Sequence, residues 1–161
     1  MTEEEVRREC EYITEKVMRY FKSSYDNLVM RLTGENILPT PVYLDDPHIF
    51  IGSKPIKLYI GSEEYAVSKW SEVTYILLSE VSKAHYDEIR TLADKYRGKC
   101  RVILGSSGMG MDNPIRIAED LYFEGHFGVE ATITHLLRIC EYTGFDTRKI
   151  LVSIRERKEN L

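Results

Sequence analysis

From Thr2 to Thr33 apolar residues recur at helical spacing. Val6, Cys10, Ile13, Val17 and Tyr20 keep a 4-3-4-3 rhythm, and Phe21, Tyr25, Leu28 and Leu32 continue it with a drift. Thr2 followed by Glu5 forms a capping box, Glu3–Glu5 suit the positive helix end, and Gly34 is a natural stop. At about 1.5 Å per residue the rod is roughly 46 Å long. Two readings are open: a helix packed across its own domain, or a coiled-coil seam making a homodimer through residues 2–33. Fewer than three clean heptads are present.

Residues 35–53 carry three of the five prolines and read as an extended linker with short strands at Val42–Leu44 and His48–Ile51. Beyond it the period changes to two. Ile56, Leu58 and Ile60 alternate with Lys57 and Tyr59, Gly61-Ser62-Glu63 turns the chain, and Tyr65 and Val67 return. After Trp70 an amphipathic helix gathers Val73, Ile76, Leu77, Val81 and Ala84 on one side. A second helical run covers Tyr86–Tyr96, and Arg101–Leu104 is a short strand before the glycine-rich stretch Gly105–Pro114. The hairpin-plus-helix pattern then returns faintly over 115–143. Setting Tyr65 against Tyr122 puts Trp70 opposite Phe127 at the strand-to-helix corner. Lys149–Ile154 is a last strand and Arg155–Leu161 a charged tail. The predicted class is α+β: two ββα-like units sharing a mostly antiparallel sheet with the last strand, plus a long N-terminal amphipathic helix. The expected divisions are the helix (1–34), the linker (35–53) and the α+β domain (54–161).

Composition narrows the class. Hydrophobic residues at 43% and charged residues at 30% fit a folded chain, and 161 residues suffice for one core without staples. A net charge of −4 argues against a generally basic DNA binder, though not against a local basic patch. Cys10, Cys100 and Cys140 show no CxxC spacing, so neither a disulfide framework nor a zinc ribbon is expected, and all three fall at positions that favour buried thiols. The start MTEEEVRREC has no apolar leader-like run, and no stretch reaches eighteen apolar residues; a cytoplasmic protein with no membrane partner is the expectation.

The run Ile60-Gly61…Tyr65-Ala66-Val67-Ser68-Lys69-Trp70-Ser71-Glu72-Val73, with Gly98-Lys99, a serine at 106 or 107, Leu121-Tyr122-Phe123-Glu124 and Gly144-Phe145-Asp146, resembles a small prokaryotic domain of poorly defined function. That domain is associated with restriction, defence and nucleic-acid-processing proteins. The resemblance covers about two thirds of the chain and implies a fold and a setting, not a reaction. Where the family pattern opens its second helix with Ser-Ala, this chain has Gly128-Val129.

Several residues are candidates for chemistry. Ser106, Ser107 and Gly108 lie in the one stretch able to turn several backbone N–H groups toward a phosphate, with Lys99 and Arg101 nearby. The P-loop spacing is absent, however, and the competing reading is a flexible surface connection. Glu124 and His126 stand two apart on a strand-like run, which predicts a shared face and an acid–base pair; a structural pair is the alternative. Ser106 and Ser107 lack a nucleophile elbow, and no metal or cofactor spacing is present. Arg97, Lys99 and Arg101 would merge with Arg148, Lys149, Arg155, Arg157 and Lys158 into one positive edge if the last strand lay beside Arg101–Leu104. Trp70 and Phe127 read as core corners sooner than base-stacking platforms.

Three functional expectations follow. The leading one is a non-enzymatic accessory module, oligomeric, with a nucleic acid or protein partner in a nucleic-acid-related or defence process. The second is a small enzyme acting on a phosphorylated substrate through the 105–114 loop and Glu124/His126. The third is a structural interaction protein working through helix 2–33.

Overall fold

The computed structural model describes residues 1–157, so the tail beyond Arg157, including Lys158, lies outside the described residues. Helix α1 (Glu3–Thr33) is capped as its sequence dictates. The Glu5 N–H donates to Thr2 Oγ1 at 3.1 Å, the Thr2 N–H donates to Glu5 Oε2 at 2.6 Å, and Gly34 closes the far end at φ 72°. Strand β1 (Val42–Tyr43), β2 (Ser53–Ile60), β3 (Glu63–Ala66) and the last strand β8 (Ile150–Glu156) form one antiparallel sheet in the order β1-β8-β2-β3. The second sheet holds β4 (Tyr96–Arg97), β5 (Val102–Gly105), β6 (Pro114–Ala118) and β7 (Leu121–Glu124) in the order β4-β5-β7-β6.

The α+β class and the long N-terminal helix are as the sequence predicts; the shared sheet is not. Each hairpin has a sheet to itself, because β5 pairs with β7 through Leu104–Phe123 and fills the edge that the last strand was expected to take. Strand β8 pairs with β1 and β2 alone. The echo between the two units is real in build. Each is a hairpin with a two-residue turn, Ile60 facing Glu63 and Ala118 facing Leu121. Each is followed by a helix of 15 residues, α2 (Trp70–Ala84) and α4 (Val129–Thr143). Helix α3 (Tyr86–Leu92) is shorter than predicted, since Ala93 leaves the helix and Asp94 takes a left-handed φ of 68° before β4.

One core joins both sheets: Leu58, Val152, Leu77, Phe123, Leu136 and Ile139 are all fully buried within it. Trp70 donates its indole N–H to Ser53 O at 3.1 Å and meets Phe50 edge-on, while Phe127 packs on Phe123 and His135. Both corner aromatics therefore belong to the core. The proline-bearing stretch 35–53 is pinned down, with β1 in the sheet and Leu44 and Phe50 buried. His48–Ile51 is no strand; Pro47–Phe50 forms a single 3₁₀ turn, capped by Asp46 accepting the His48 N–H. Of the cysteines only Cys140 is buried, which pushes its thiol up to about 12. Cys100 is exposed because the strand starts two residues later, at Val102.

Helix α1 meets the body with its polar side. Strand β1 covers β8 only at Leu151 and Val152, which leaves the β8 edge open beyond them. Asn27 closes it: its amide donates to Ile154 O at 3.1 Å and accepts the Glu156 N–H at 3.0 Å, mimicking one more strand residue. Asp26 accepts the Thr40 N–H and hydroxyl, and Tyr12 and Lys16 hold Asp45. The apolar stripe consequently points away from the body. Phe21 is 66% and Leu32 75% exposed, and Cys10 is exposed with them, contrary to the buried position the stripe suggested.

Candidate functional site

The glycine-rich stretch joins β5 to β6 and is held by a carboxylate at each end. At its entrance Asp94 accepts the Ser106 N–H at 2.9 Å and the Ser106 hydroxyl at 2.6 Å. These bonds hold the Asp94 carboxyl below the usual carboxylate range. At its exit stands Glu124, the last residue of β7, with a fully buried side chain. Glu124 accepts the N–H groups of Asp112 at 2.8 Å, Asn113 at 2.9 Å and His126 at 3.0 Å, and Arg101 lies 3.3 Å from it. Arg101 also pairs with Asp112. Burial alone would raise the Glu124 carboxyl, but the three backbone donors and the guanidinium outweigh it and bring it below the ordinary value.

This geometry recasts the candidate residues. Glu124 and His126 share no acid–base face: the strand ends at Glu124, whose side chain turns inward, while His126 is exposed and contributes its backbone N–H. The N–H groups of Ser106, Asp112 and Asn113 already face carboxylates of the chain itself, which an entering phosphate would have to displace. Gly108 is needed for close approach, since a Cβ there would lie 2.9 Å from Pro114. Gly125 is equally confined, with Ile115 2.8 Å from the position of a Cβ. The stretch is thus a folded loop tied at both ends, not a loose connection. Ser107 is exposed on it, and Lys99 is exposed apart from it, between β4 and β5.

The basic residues do not merge into one edge, because β8 and β5 belong to different sheets. Arg148 is engaged with Glu9 at 2.6 Å and lies over the Tyr12 ring, and Arg155 reaches Asn36. Arg101 serves Glu124. Lys149 and Arg157 are exposed and form no ion pair among the described residues, and the same holds for Lys95, Arg97 and Lys99 on the β4–β5 hairpin. Of the histidines, His48 pairs with Glu130 at 3.0 Å, and His85 ends α2. His135 is wedged between Phe127 and the Tyr96 hydroxyl at 2.8 Å; burial and then Arg138 push its imidazole down. Among the described residues no three His, Cys, Asp or Glu side chains converge as a metal site requires. Among the described residues no helix is long and apolar enough to cross a membrane.

Two grooves open away from the loop. One of about 290 Å³ lies between the end of α1 and the β8 edge, with Arg31, Asn36, Arg155 and Arg157 in its lining. The other, about 340 Å³, lies beside the middle of α1 and is lined by Val17, Tyr20, Phe21, Val42, Tyr43 and Ile49 among others. Sequence reasoning missed Asp94, whose role depends on a left-handed turn with no clear signal in Ala93-Asp94-Lys95. It also missed the inner stripe of α1, although Tyr12, Lys16, Arg19, Ser23 and Asn27 do recur at helical spacing. The class these features define is a two-sheet α+β domain with a carboxylate-clamped loop and an outward apolar helix. No family model, curated protein or solved structure matches the chain.

Proposed function

We propose that the chain is a non-catalytic, self-associating accessory module that joins a second copy through the outer face of α1. One observation carries this reading: a 31-residue helix keeps its apolar stripe in solvent while its polar side holds the body. Contiguous exposed apolar surface of this kind marks an interaction site. The enzymatic reading has less support, since the buried Glu124 is committed to four structural partners and His126 stands apart from it.

Sedimentation equilibrium tests the proposal. The parent chain is expected to be a dimer, and Phe21→Glu with Leu28→Glu a monomer with unchanged far-ultraviolet dichroism, because both side chains are exposed on α1. A parent that stays monomeric at about 100 µM, the range of a weak association, overturns it.

A second reading concerns the setting. The exposed Lys95, Arg97 and Lys99 favour a nucleic-acid-related process over a purely structural one, in line with the resemblance of residues 54–158 to domains of such systems.

A further inference from the structure

We infer that the two copies pair antiparallel along α1, about a two-fold axis near Met18, with the groove beside Tyr20 and Phe21 receiving the partner's helix. This rests on the self-association proposed above and adds its geometry. Charge is the first argument. Met18 is the midpoint of α1, and once Glu9 and Lys16, which pair with the body, are set aside, residues 3–17 carry five carboxylates against two basic groups. Residues 19–33 reverse the sign: with Arg19 and Asp26 turned to the body, two basic groups, Lys22 and Arg31, remain there and no carboxylate. Antiparallel pairing lays each acidic half on a basic half and opposes the two helix dipoles; parallel pairing stacks the acidic halves on each other.

Pitch is the second argument. Val6, Val17 and Leu28 are spaced eleven residues apart, a repeat close to the natural helical period, so these three stay nearly in line along the rod while Phe21, Tyr25 and Leu32 drift to one side. A line of apolar residues that keeps its direction over most of the rod suits a lengthwise contact with little supercoil.

Area and position agree. Nine large apolar side chains on α1, each 42–75% exposed, present on the order of 1,000 Å², against about 800 Å² per partner in a standard interface. The apolar groove lies beside residues 16–21, at the centre of the helix. A two-fold axis there brings the same residues of the partner to the groove, so one patch serves both copies.

Cys10 supplies the test, because it is exposed on α1 and stands on the stripe. In the antiparallel pair the two Cys10 residues lie about 24 Å apart along the axis, at about 1.5 Å for each of the residues between them. In a parallel pair they face each other. A Cys100→Ser chain leaves Cys10 as the one exposed thiol among the described residues. Nitroxide labelling of that chain should give an inter-label distance above about 20 Å, and oxidation should give no Cys10–Cys10 cross-link. A short distance or efficient cross-linking in a dimer overturns the antiparallel geometry while leaving self-association standing. A labelled chain that sediments as a monomer, alongside an unlabelled parent that does the same, overturns both. A dimer that survives Tyr25→Glu with Phe21→Glu moves the interface off this face and overturns the inference.

Discussion

Glu124 is the residue on which the loop between β5 and β6 depends. A buried carboxylate with three backbone donors and an arginine is stable only as the anion, and that requirement produces the low pKa. Glu124→Gln keeps the shape but removes the charge and turns an N–H₂ toward groups that donate. It should cost about 2–4 kcal/mol at neutral pH, read as a lower denaturation midpoint and faster amide exchange at Asp112 and Asn113. The pH dependence has a definite sign. The folded pKa lies below the ordinary 4.5, so the stabilisation is complete above that value and is lost as acid protonates the folded carboxylate. The parent and Glu124→Gln curves should therefore converge as pH falls through the lowered pKa of the folded carboxyl; a constant gap would show that charge is not what holds the loop.

At the scale of the element, α1 reverses the usual rule that a helix buries its apolar side. The reason is the shortness of β1, which leaves Ile154 O and the Glu156 N–H of β8 at an open edge that only polar groups can satisfy. Asn27→Ala separates local from tertiary effects. Helix propensity alone favours alanine by a few tenths of a kcal/mol. Loss of the two edge bonds should instead destabilise the protein by about 1–3 kcal/mol. Chemical denaturation decides between them, and a variant more stable than the parent would remove Asn27 from its edge-capping role. The apolar stripe itself was legible in the sequence. Its direction was not, because periodicity fixes which residues share a face and says nothing about what that face meets.

For the whole molecule, a two-fold pair would carry two β4–β5 hairpins, and with them two sets of Lys95, Arg97 and Lys99. Nucleic-acid retention at low salt should then weaken when Arg97 and Lys99 become alanine, with a shallower salt dependence. It should also weaken in the Phe21→Glu, Leu28→Glu monomer, which loses the second hairpin while keeping its own. Equal retention by all three chains would separate the hairpins from any such role. Arg101→Ala is the wrong probe here, since it strikes the Glu124 clamp and the loop with it.

Helices α1, α2 and α4, the caps of α1 and the two ββα units were readable from the chain, because helix and strand periods and a Thr-x-x-Glu box are local properties; the 3₁₀ turn at Pro47–Phe50, the early end of α3 and strand β4 were not. Which strands share a sheet, which face of α1 meets the body and where the Glu124 carboxylate points were decided only by the tertiary structure. Each of those depends on groups distant in sequence. Leu104 meeting Phe123 split the sheet in two, Asn27 meeting Ile154 turned the helix over, and Asp112 and Asn113 meeting Glu124 made a folded loop of what reads locally as a flexible one. A pattern of types along a chain carries the period of each element, but a buried polar group is placed by the partner that satisfies it.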